Sequence, residues 1–544
     1  MRRHTGVSIL LLLVLTGVLL SGTAGGEQKA LFDRVIIVGI DGSGAYFKET
    51  DTPCLDRIFA DGNITWEAHA QVPTISAQGW GSVMYGMAPE THMLTNAAAE
   101  SRLLKRHGMK SIFSLVLEKY SGAEAASVVG WPPINHGILD RPEGLYRFPE
   151  AAGKNPDWSA ETEALDTWLD GHDPKLLFIH YEAVDVAGHA YGYGSAKYLE
   201  AVRTADTNLG KLYDDLDSRG LIEGSLFIVT ADHGGVRGGT THGGSRDEEV
   251  NCMFCVKGDG VLTGTEIQDM ELRDIAAVAL YALGVEQPEN MTGRVPSGIF
   301  EGAGGEERPK DTAAELRSLI RQWTTKEDPG RELPEGLSGS LAYYQGFEDG
   351  NKKLSGKRKL TEEGFYGSAM DAEKTYLKTG TVWKKEWEGF SACMWIRIRE
   401  TEPWDPVLFS NSNWKKGTNL GMTIALEPGT IVVSIGNGKK TQYRAEFALP
   451  DSYTAGWMHL LVSVNLEEGT ATAWADFCEI GWDEFIPAGT DMSKFMTRRG
   501  INVGQDVTGS FKRWLHAAVD EVMIFNRTLN GDDVEALRKY YFPD

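Results

Sequence analysis

The sequence is poor in cysteine and in positive charge, and both shortages exclude whole classes of protein. Its 544 residues include five cysteines, too few and too scattered for a disulfide framework. Lysine and arginine together number 54 against 77 aspartates and glutamates, so the formal net charge is -23. A chain this acidic does not neutralise a phosphate backbone along its length, which argues against binding a nucleic-acid scaffold. The acidity fits a protein that is soluble outside the cell or at its surface.

An uncharged run covers residues 5–20, after Arg2 and Arg3 and before the small residues 21–24. A charged start, an apolar run and a small-residue cleavage site are the features of a secretory signal peptide. We therefore expect residues 1–26 to be a signal peptide and the protein to be secreted or held at the cell surface. The alternative is an uncleaved N-terminal membrane anchor, for which the run is short. No cysteine directly follows the run, which argues against a lipid-anchored form.

The length predicts more than one domain, because a chain of this size exceeds a single core. Strand and helix patterns alternate over residues 31–303, which predicts an α/β fold with a mostly parallel sheet flanked by helices. Residues 304–339 are charged and contain proline, as is typical of a linker. Residues 340–544 show short alternating strands separated by glycine and asparagine turns, which predicts an all-β jelly-roll sandwich.

Acids and histidines follow the predicted buried strands of the α/β region. The strand before Asp41 and the strand at residues 226–229 both end abruptly in an acid and a glycine-containing turn. Ligand-binding groups collect at the carboxyl ends of parallel strands, so we expect these side chains to meet. The candidates are Asp41, Ser76, Asp185, His189, Asp232, His233 and His242.

Three histidines and three aspartates divide into two sites of mixed nitrogen and oxygen ligands, which suits zinc better than magnesium or calcium. Two cations about 4 Å apart would clamp the attacking and leaving oxygens of a displacement at phosphorus. Ser76 opens a predicted helix, where free N–H groups and the helix dipole favour an anion such as phosphate. A serine bound to one cation becomes a nucleophile without a histidine base.

Several motifs together resemble the alkaline phosphatase superfamily, specifically its type I phosphodiesterase/nucleotide pyrophosphatase-like branch. The resemblance covers roughly residues 31–300. It rests on Val38-Gly-Ile-Asp41-Gly, Pro73-Thr-Ile-Ser76, Gly86-Met-Ala-Pro89-Glu-Thr-His92, Asp185-Val-Ala-Gly-His189, Thr230-Ala-Asp232-His233-Gly and Thr241-His242-Gly. Each motif alone is weak, whereas all of them in this order form a specific pattern.

The resemblance implies a role for each candidate residue. Asp41, Ser76, Asp232 and His233 look like the shell of the metal that activates the nucleophile. Asp185, His189 and His242 look like the shell of a second metal, which holds the leaving-group oxygen and later a hydrolytic water. Ser76 would form a covalent phosphoryl-enzyme intermediate.

The sequence departs from this branch just after the nucleophile, where the branch usually has a Pro-Asn pair and this chain has Gln78-Gly79 followed by Trp80. The phosphate-binding asparagine of the branch lies further on, and Asn96 is the residue here that fits that place; its alternative is an ordinary loop asparagine. The cysteine-based signature of conventional sulfatases is absent.

The C-terminal region resembles the laminin G/concanavalin-like jelly roll. The resemblance rests on residues 389–395, 456–460 and 518–529. It implies a glycan-binding module, with calcium near Glu348, Asp349 or Asp520 as a further expectation; the alternative is a structural or spacing module.

These features favour a secreted two-zinc hydrolase acting on a small-molecule phosphate ester, with a phosphodiesterase as the first expectation. The alternatives are an alkaline-phosphatase-like phosphomonoesterase with the same site, and a catalytically silent carbohydrate-binding protein.

Overall fold

The structure is a computed structural model that describes residues 29–100, 109–148, 158–350, 352–387, 389–399, 406–450 and 453–543. The predicted signal peptide, residues 1–26, lies outside these residues. Among the described residues, no helix combines the length and the apolar character needed to cross a membrane.

The N-terminal half is built on a sheet with seven strands in the part of the chain that the structure describes. The strands are β1 (Arg34–Ile40), β2 (Asn63–His69), β3 (Glu124–Val129), β4 (Leu145–Phe148), β5 (Pro174–Tyr181), β6 (Ser225–Thr230) and β7 (Asn251–Lys257). Their order is β2-β7-β6-β1-β5-β3-β4. The pairs from β6 to β4 are parallel, whereas β7 and β2 add antiparallel strands at one edge. The prediction of a mostly parallel sheet is confirmed.

Helices cover both faces of this sheet. They are α1 (Pro53–Ile58), α2 (Ser76–Tyr85), α3 (Pro89–His92), α4 (Asn96–Glu100), α5 (Ile112–Lys119), α6 (Trp158–Leu169), α7 (Ala183–Tyr191), α8 (Ala196–Ser218), α9 (Asp247–Val250) and α10 (Asp274–Ala282). Strand β1 is buried along its whole length, and its alternate side chains enter two different cores. Val35 and Ile37 join one core, and Ile36, Val38 and Ile40 join the other. Burial on both faces explains why the strand is a continuous apolar run.

Two short helices, α11 (Thr312–Arg321) and α12 (Glu335–Ser338), precede the C-terminal strands. These strands are β8 (Leu341–Gln345), β9 (Leu354–Gly356), β10 (Leu360–Thr361), β11 (Ala369–Asp371), β12 (Thr375–Val382), β13 (Gly389–Ile398), β14 (Val407–Ser410), β15 (Gly421–Glu427), β16 (Thr430–Gly436), β17 (Gln442–Ala448), β18 (Met458–Asn465), β19 (Thr470–Ala475), β20 (Cys478–Glu484), β21 (Gly500–Val503) and β22 (Ala517–Phe525). Helix α13 (Gly531–Tyr541) follows.

The C-terminal strands form two antiparallel sheets among the described residues, which confirms the predicted all-β sandwich. One sheet has the order β10-β11-β22-β13-β18-β19-β20, with β8 paired to β22. The other has the order β17-β16-β15-β14-β21-β12-β9. Apolar side chains from both sheets share one core.

Helix α11 joins the two halves through contacts on both sides. Its N-cap Asp311 accepts a hydrogen bond from the Thr91 hydroxyl at 2.7 Å. On the other side, the buried guanidinium of Arg317 lies 3.4 Å from Asp476 at the end of β19. Met93, directly after α3, is buried within the hydrophobic core of the sandwich. The N-terminal half therefore contributes an apolar side chain to the core of the C-terminal half.

Candidate active site

The predicted residues meet at the carboxyl edge of the parallel strands. Asp41 directly follows β1, and Asp232 and His233 follow β6. Helix α7 begins two residues after β5 and carries Asp185 and His189, whose i, i+4 spacing places them on one helix face. His242 returns through the glycine-containing loop after β6. The structure thus brings all of these side chains and Ser76 into one cluster.

Ser76 is the first residue of α2, and its Oγ lies 3.1 Å from Nε2 of His233. The helix approaches the end of β6 closely at Gly79. A Cβ atom at this position would lie 2.6 Å from the carbonyl oxygen of Asp232 and 2.8 Å from its Cβ. Only glycine permits this approach. Gly79, in the Gln78-Gly79 departure noted in the sequence, therefore allows the helix that begins at Ser76 to pack against the end of β6.

Each of the three histidines is oriented by a backbone carbonyl at Nδ1. His233 meets the carbonyl of Gly234 at 2.8 Å, His189 that of Thr240 at 2.8 Å, and His242 that of Thr74 at 2.7 Å. A carbonyl only accepts hydrogen bonds, so Nδ1 of each ring carries the proton and, in the neutral imidazole, Nε2 presents a lone pair. This is the tautomer that metal-binding histidines use when a second group fixes the ring.

The Nε2 atoms face one another and the carboxylates at short range. Those of His189 and His242 are 3.2 Å apart. His189 Nε2 also lies 3.2 Å from Asp185 Oδ2, and the ring of His242 stacks on that of His233 with centroids 3.8 Å apart. Nε2 of His233 lies 3.2 Å from Asp232 Oδ2. Two lone pairs that face each other at 3.2 Å repel, unless a cation or a proton lies between them.

Two buried carboxylate oxygens of the cluster accept no hydrogen bond from any residue that the structure describes. They are Oδ1 of Asp41 and Oδ2 of Asp232. Burial and the nearby charge of Asp41 raise the pKa of Asp232 well above its usual range. Unpaired buried oxygens of this kind are costly in the absence of a cation.

The carboxylate of Asp185 sits between two donors. Its Oδ1 accepts the hydroxyl of Tyr193 at 2.5 Å. Burial by itself would raise the pKa of Asp185, but the hydrogen bond with His189 and the donors around it lower that pKa to about 2. The same hydrogen bond raises the pKa of His189 to about 9, so in the metal-free protein Nε2 of this ring carries a proton, which a bound cation would displace. Asp185 is thus held as a carboxylate at neutral pH.

The donor set fits two divalent cations. Asp185, His189 and His242 place one ligand atom each within 4.8 Å of one another, and so do Asp41, Asp185 and His233. Asp185 belongs to both groups, which gives it a bridging position that the division read from the sequence did not include. Mixed imidazole nitrogen and carboxylate oxygen ligands suit zinc. The assignment of each residue to one metal stays a prediction.

Sequence reasoning missed two side chains that orient Asp41. The indole Nε1–H of Trp80 donates to Asp41 Oδ2 at 2.9 Å, and Nε2 of His180 lies 2.9 Å from the same oxygen. Both rings are fully buried and pack edge to face. With Oδ2 engaged by these two groups, Oδ1 of Asp41 faces the cluster. One sequence signal was available, because Gly39 interrupts an apolar strand: a Cβ there would lie 2.3 Å from the Trp80 ring.

Asn96 is the first residue of α4 and lies next to Ser76. Its Oδ1 accepts a hydrogen bond from the backbone N–H of Ala77 at 3.0 Å. This contact fixes the carboxamide so that its NH₂ group is the donor that remains for another partner. Asn96 therefore lies beside the N-terminus of α2, and its role in phosphate binding stays a prediction.

Comparison with known proteins matches both halves to families. The sequence model for type I phosphodiesterase/nucleotide pyrophosphatase matches residues 35–244. The model for the concanavalin A-like lectin/glucanases superfamily matches residues 371–535.

Among curated proteins, the chain is similar to GPI ethanolamine phosphate transferase 1 of several fungi. The Gibberella zeae protein is 22% identical over 361 residues, which are 58% of this chain and 35% of that protein. The Aspergillus oryzae protein is 26% identical over 49% of this chain and 29% of its own length. The matched part is about a third of the length of these relatives.

Similar solved structures include murine ectonucleotide pyrophosphatase/phosphodiesterase 5, which is 14% identical with a TM-score of 0.39 and matches 47% of this chain and 96% of its own. Lipoteichoic acid synthase LtaP from Listeria monocytogenes is 14% identical with a TM-score of 0.36, over 47% of this chain and 72% of that one. The family models thus make residues 35–244 similar to the type I phosphodiesterase/nucleotide pyrophosphatase family and residues 371–535 similar to the concanavalin A-like lectin/glucanases superfamily.

Proposed function

We propose that this protein is a secreted, metal-dependent hydrolase that cleaves phosphate diesters through Ser76. The observation that carries the proposal is the convergence of three histidine Nε2 atoms and two unpaired buried carboxylate oxygens around the Ser76 hydroxyl. Two divalent cations, with zinc as the first expectation, would supply the positive charge that activates the serine and stabilises oxygens at phosphorus.

The residues of the chain have distinct tasks in this proposal. Asp41, Asp232 and His233, together with Ser76, would hold one cation, and Asp185, His189 and His242 would hold the second. Ser76 Oγ attacks phosphorus, the bond to the leaving-group oxygen breaks and that alcohol departs, and Ser76 is left esterified to a phosphate that still carries the second ester group of the substrate. The N-terminus of α2 favours the anionic phosphate.

Asn96 is proposed to donate from its NH₂ group to a phosphoryl oxygen. The carboxamide is already oriented by Ala77, so little conformational freedom is lost when phosphate binds. A donor oriented in advance of the reaction stabilises the charge that develops on the phosphoryl oxygens.

The second step decides whether the enzyme is a hydrolase or a transferase. Water that attacks this serine ester breaks the bond from serine to phosphorus and releases a phosphate monoester, whereas an alcohol takes up the substituted phosphoryl group and forms a new diester. The relatives named as ethanolamine phosphate transferases favour the transferase as the second candidate. A phosphomonoesterase with the same residues and a catalytically silent carbohydrate-binding protein are the remaining alternatives.

For the sandwich we propose a glycan-binding role with calcium near Glu348 or Asp520. Burial raises the pKa of Glu348 and raises that of Asp520 well above its usual range, and neighbouring carboxylates add to both shifts. A bound cation would relieve this repulsion. We also propose the functional limits read from the sequence: catalysis in residues 31–303, a linker at 304–339 and glycan binding in 340–544.

The proposal is tested with purified protein comprising residues 27–544, by measuring bound metal and the hydrolysis of an aryl phosphodiester, a phosphomonoester and a sulfate ester. We expect about two zinc ions and diester turnover that Ser76→Ala abolishes. Ser82→Ala is the matched control, because Ser82 is also buried on α2 but faces His92 at 3.4 Å instead of the cluster.

Added alcohol distinguishes the two second steps, because a transferase converts the substrate mainly to a new diester of the added alcohol, whereas a hydrolase releases mainly the phosphate monoester. Preferred turnover of the monoester would replace the diesterase with a phosphatase. No metal and no turnover of any ester would refute the catalytic proposal.

A further inference from the structure

The sandwich presents the same four-residue pattern in two different loops. Asn413-Trp-Lys415-Lys416 lies between β14 and β15, and Asn437-Gly-Lys439-Lys440 lies between β16 and β17. In both loops the asparagine Oδ1 accepts a hydrogen bond from the backbone N–H of the first lysine, at 3.1 Å and 2.9 Å respectively. The backbone that carries each lysine pair is therefore held by the same device.

The two loops pack against each other. The backbone N–H of Gly438 donates to the carbonyl of Thr418 at 2.8 Å. A Cβ on Gly436 would lie 2.2 Å from the carbonyl oxygen of Asn419, so the loop ends meet without room for another atom. Strands β15 and β16 are paired along their length and place both loops at the same end of one sheet. Four lysines on two braced loops thus form one surface, which we name the lysine surface.

No ion pair from the described part of the chain neutralises the charge of the lysine surface. Lys415, Lys416, Lys439 and Lys440 are all exposed, and none of them forms an ion pair with a described residue. Residues 411–420 and 437–441 contain no acidic residue. This local positive charge stands out in a chain with a net charge of -23. Unpaired lysines on rigid loops attract an anionic partner and lose little entropy when it binds.

The lysine surface lacks the groups that nucleic acids and membranes require. The sole aromatic residue of the two loops, Trp414, is buried with Phe511 in a small apolar cluster, so no ring is offered to a base. Leu420 is the one exposed large apolar side chain in these loops, too little for insertion into a bilayer. The remaining exposed groups are amides, hydroxyls and backbone, which suit a hydrated polymer.

We propose that the lysine surface binds an anionic polysaccharide through its carboxylate or sulfate groups. This inference deepens the glycan-binding role proposed for the sandwich and rests on it, but it requires nothing of Ser76. The glycan would contact the loop between β14 and β15 and the loop between β16 and β17. Its negative charge is the property that the protein recognises.

The test measures binding of polygalacturonate, chondroitin sulfate and neutral dextran by the full chain with Ser76→Ala. The test variant carries Lys415→Gln, Lys416→Gln, Lys439→Gln and Lys440→Gln. The control variant carries Lys352→Gln, Lys357→Gln, Lys384→Gln and Lys385→Gln, which removes the same total charge from exposed lysines elsewhere on the sandwich.

We expect the test variant to lose about tenfold or more in affinity for at least one acidic polymer, and the control variant to lose less than about twofold. Polygalacturonate and chondroitin sulfate distinguish carboxylate from sulfate recognition. Binding should fall steeply between about 0.1 M and 1 M salt, since screening shortens the range of the lysine charges.

Three results would overturn the proposal: equal losses in both variants, equal binding of neutral dextran, or no binding of any acidic polymer by the folded parent protein. Lysine-dependent binding to phosphatidylglycerol vesicles without binding to the acidic polymers would instead assign the surface to a membrane and would also overturn it. Ester turnover is measured separately, with the protein that retains Ser76. Failure of the catalytic proposal therefore does not affect the outcome of the binding test.

Discussion

Replacing Trp80 by phenylalanine should weaken metal binding without removing a single metal ligand. The change deletes the indole N–H that donates to Asp41 Oδ2 at 2.9 Å and keeps an aromatic ring in the same buried place. A hydrogen bond to a charged group contributes about 1.5–3 kcal/mol. His180 still contacts the same oxygen, so the orientation of Asp41 is loosened and not lost. The lower end of that range corresponds to an affinity loss of about tenfold.

The assay is a competition titration of zinc against a chromophoric chelator, with urea unfolding of the metal-free proteins measured in parallel. Trp383→Phe is the matched control. Trp383 is also buried, but its Nε1 has no hydrogen-bond partner among the described residues. Both variants lose similar packing in the metal-free state, so the difference between them in zinc affinity isolates the hydrogen bond to Asp41.

The reasoning is refuted if Trp80→Phe and Trp383→Phe bind zinc as tightly as the parent protein. It is also refuted if both lose affinity equally, because a general loss of packing would then account for the effect. A loss confined to Trp80→Phe, together with a lower kcat for the aryl diester, is the expected result.

Three further predictions concern separate features. Gly79→Ala should reduce stability by about 1–3 kcal/mol in urea unfolding and lower zinc content, since its Cβ would collide with Asp232, whereas Gly171→Ala, which meets open space, should do neither. Asn96→Ala should lower kcat/KM for the aryl diester about 100-fold with unchanged metal content; an unchanged rate would exclude Asn96 from phosphate binding. Burial raises the pKa of Glu521 from its usual 4.5 to about 7, so its stabilising contribution is complete below about pH 4.5 and is lost as the pH rises through 7, a fall of about 3 kcal/mol. Glu521→Gln should flatten that dependence in urea unfolding with chelator present, and an unaltered pH profile would contradict the assignment.

The ends of the strands can be predicted from the sequence because they depend on the pattern of neighbouring residues. An apolar run that stops at Asp41 or Asp232 identifies both the strand and its carboxyl end, and the parallel arrangement then places these ends at one edge. The alternation after residue 340 identifies the sandwich in the same way. These inferences need only the pattern of neighbouring residues.

The side chains that orient the candidate metal ligands do so through contacts between residues that are far apart in the sequence. Trp80 and His180 lie 39 and 139 positions from Asp41, and no periodicity connects them. The bridging position of Asp185 is also a property of three dimensions, since its two oxygens face different partners. The lysine surface shows the same limit, because the repeated pattern is visible in the sequence but the contact between its two loops is not.

Met93 is buried in the core of the sandwich, three residues before Asn96. It therefore ties the N-terminal half to the C-terminal half at a short distance from Ser76. A protein cut after the linker would leave this methionine side chain in water and would free the segment that presents Asn96. Exchange of the sandwich for an unrelated carbohydrate-binding module would have the same effect, unless the new module provided an equivalent pocket for the Met93 side chain. A change in the sandwich core around Met93 would therefore also act on the segment that presents Asn96 beside Ser76.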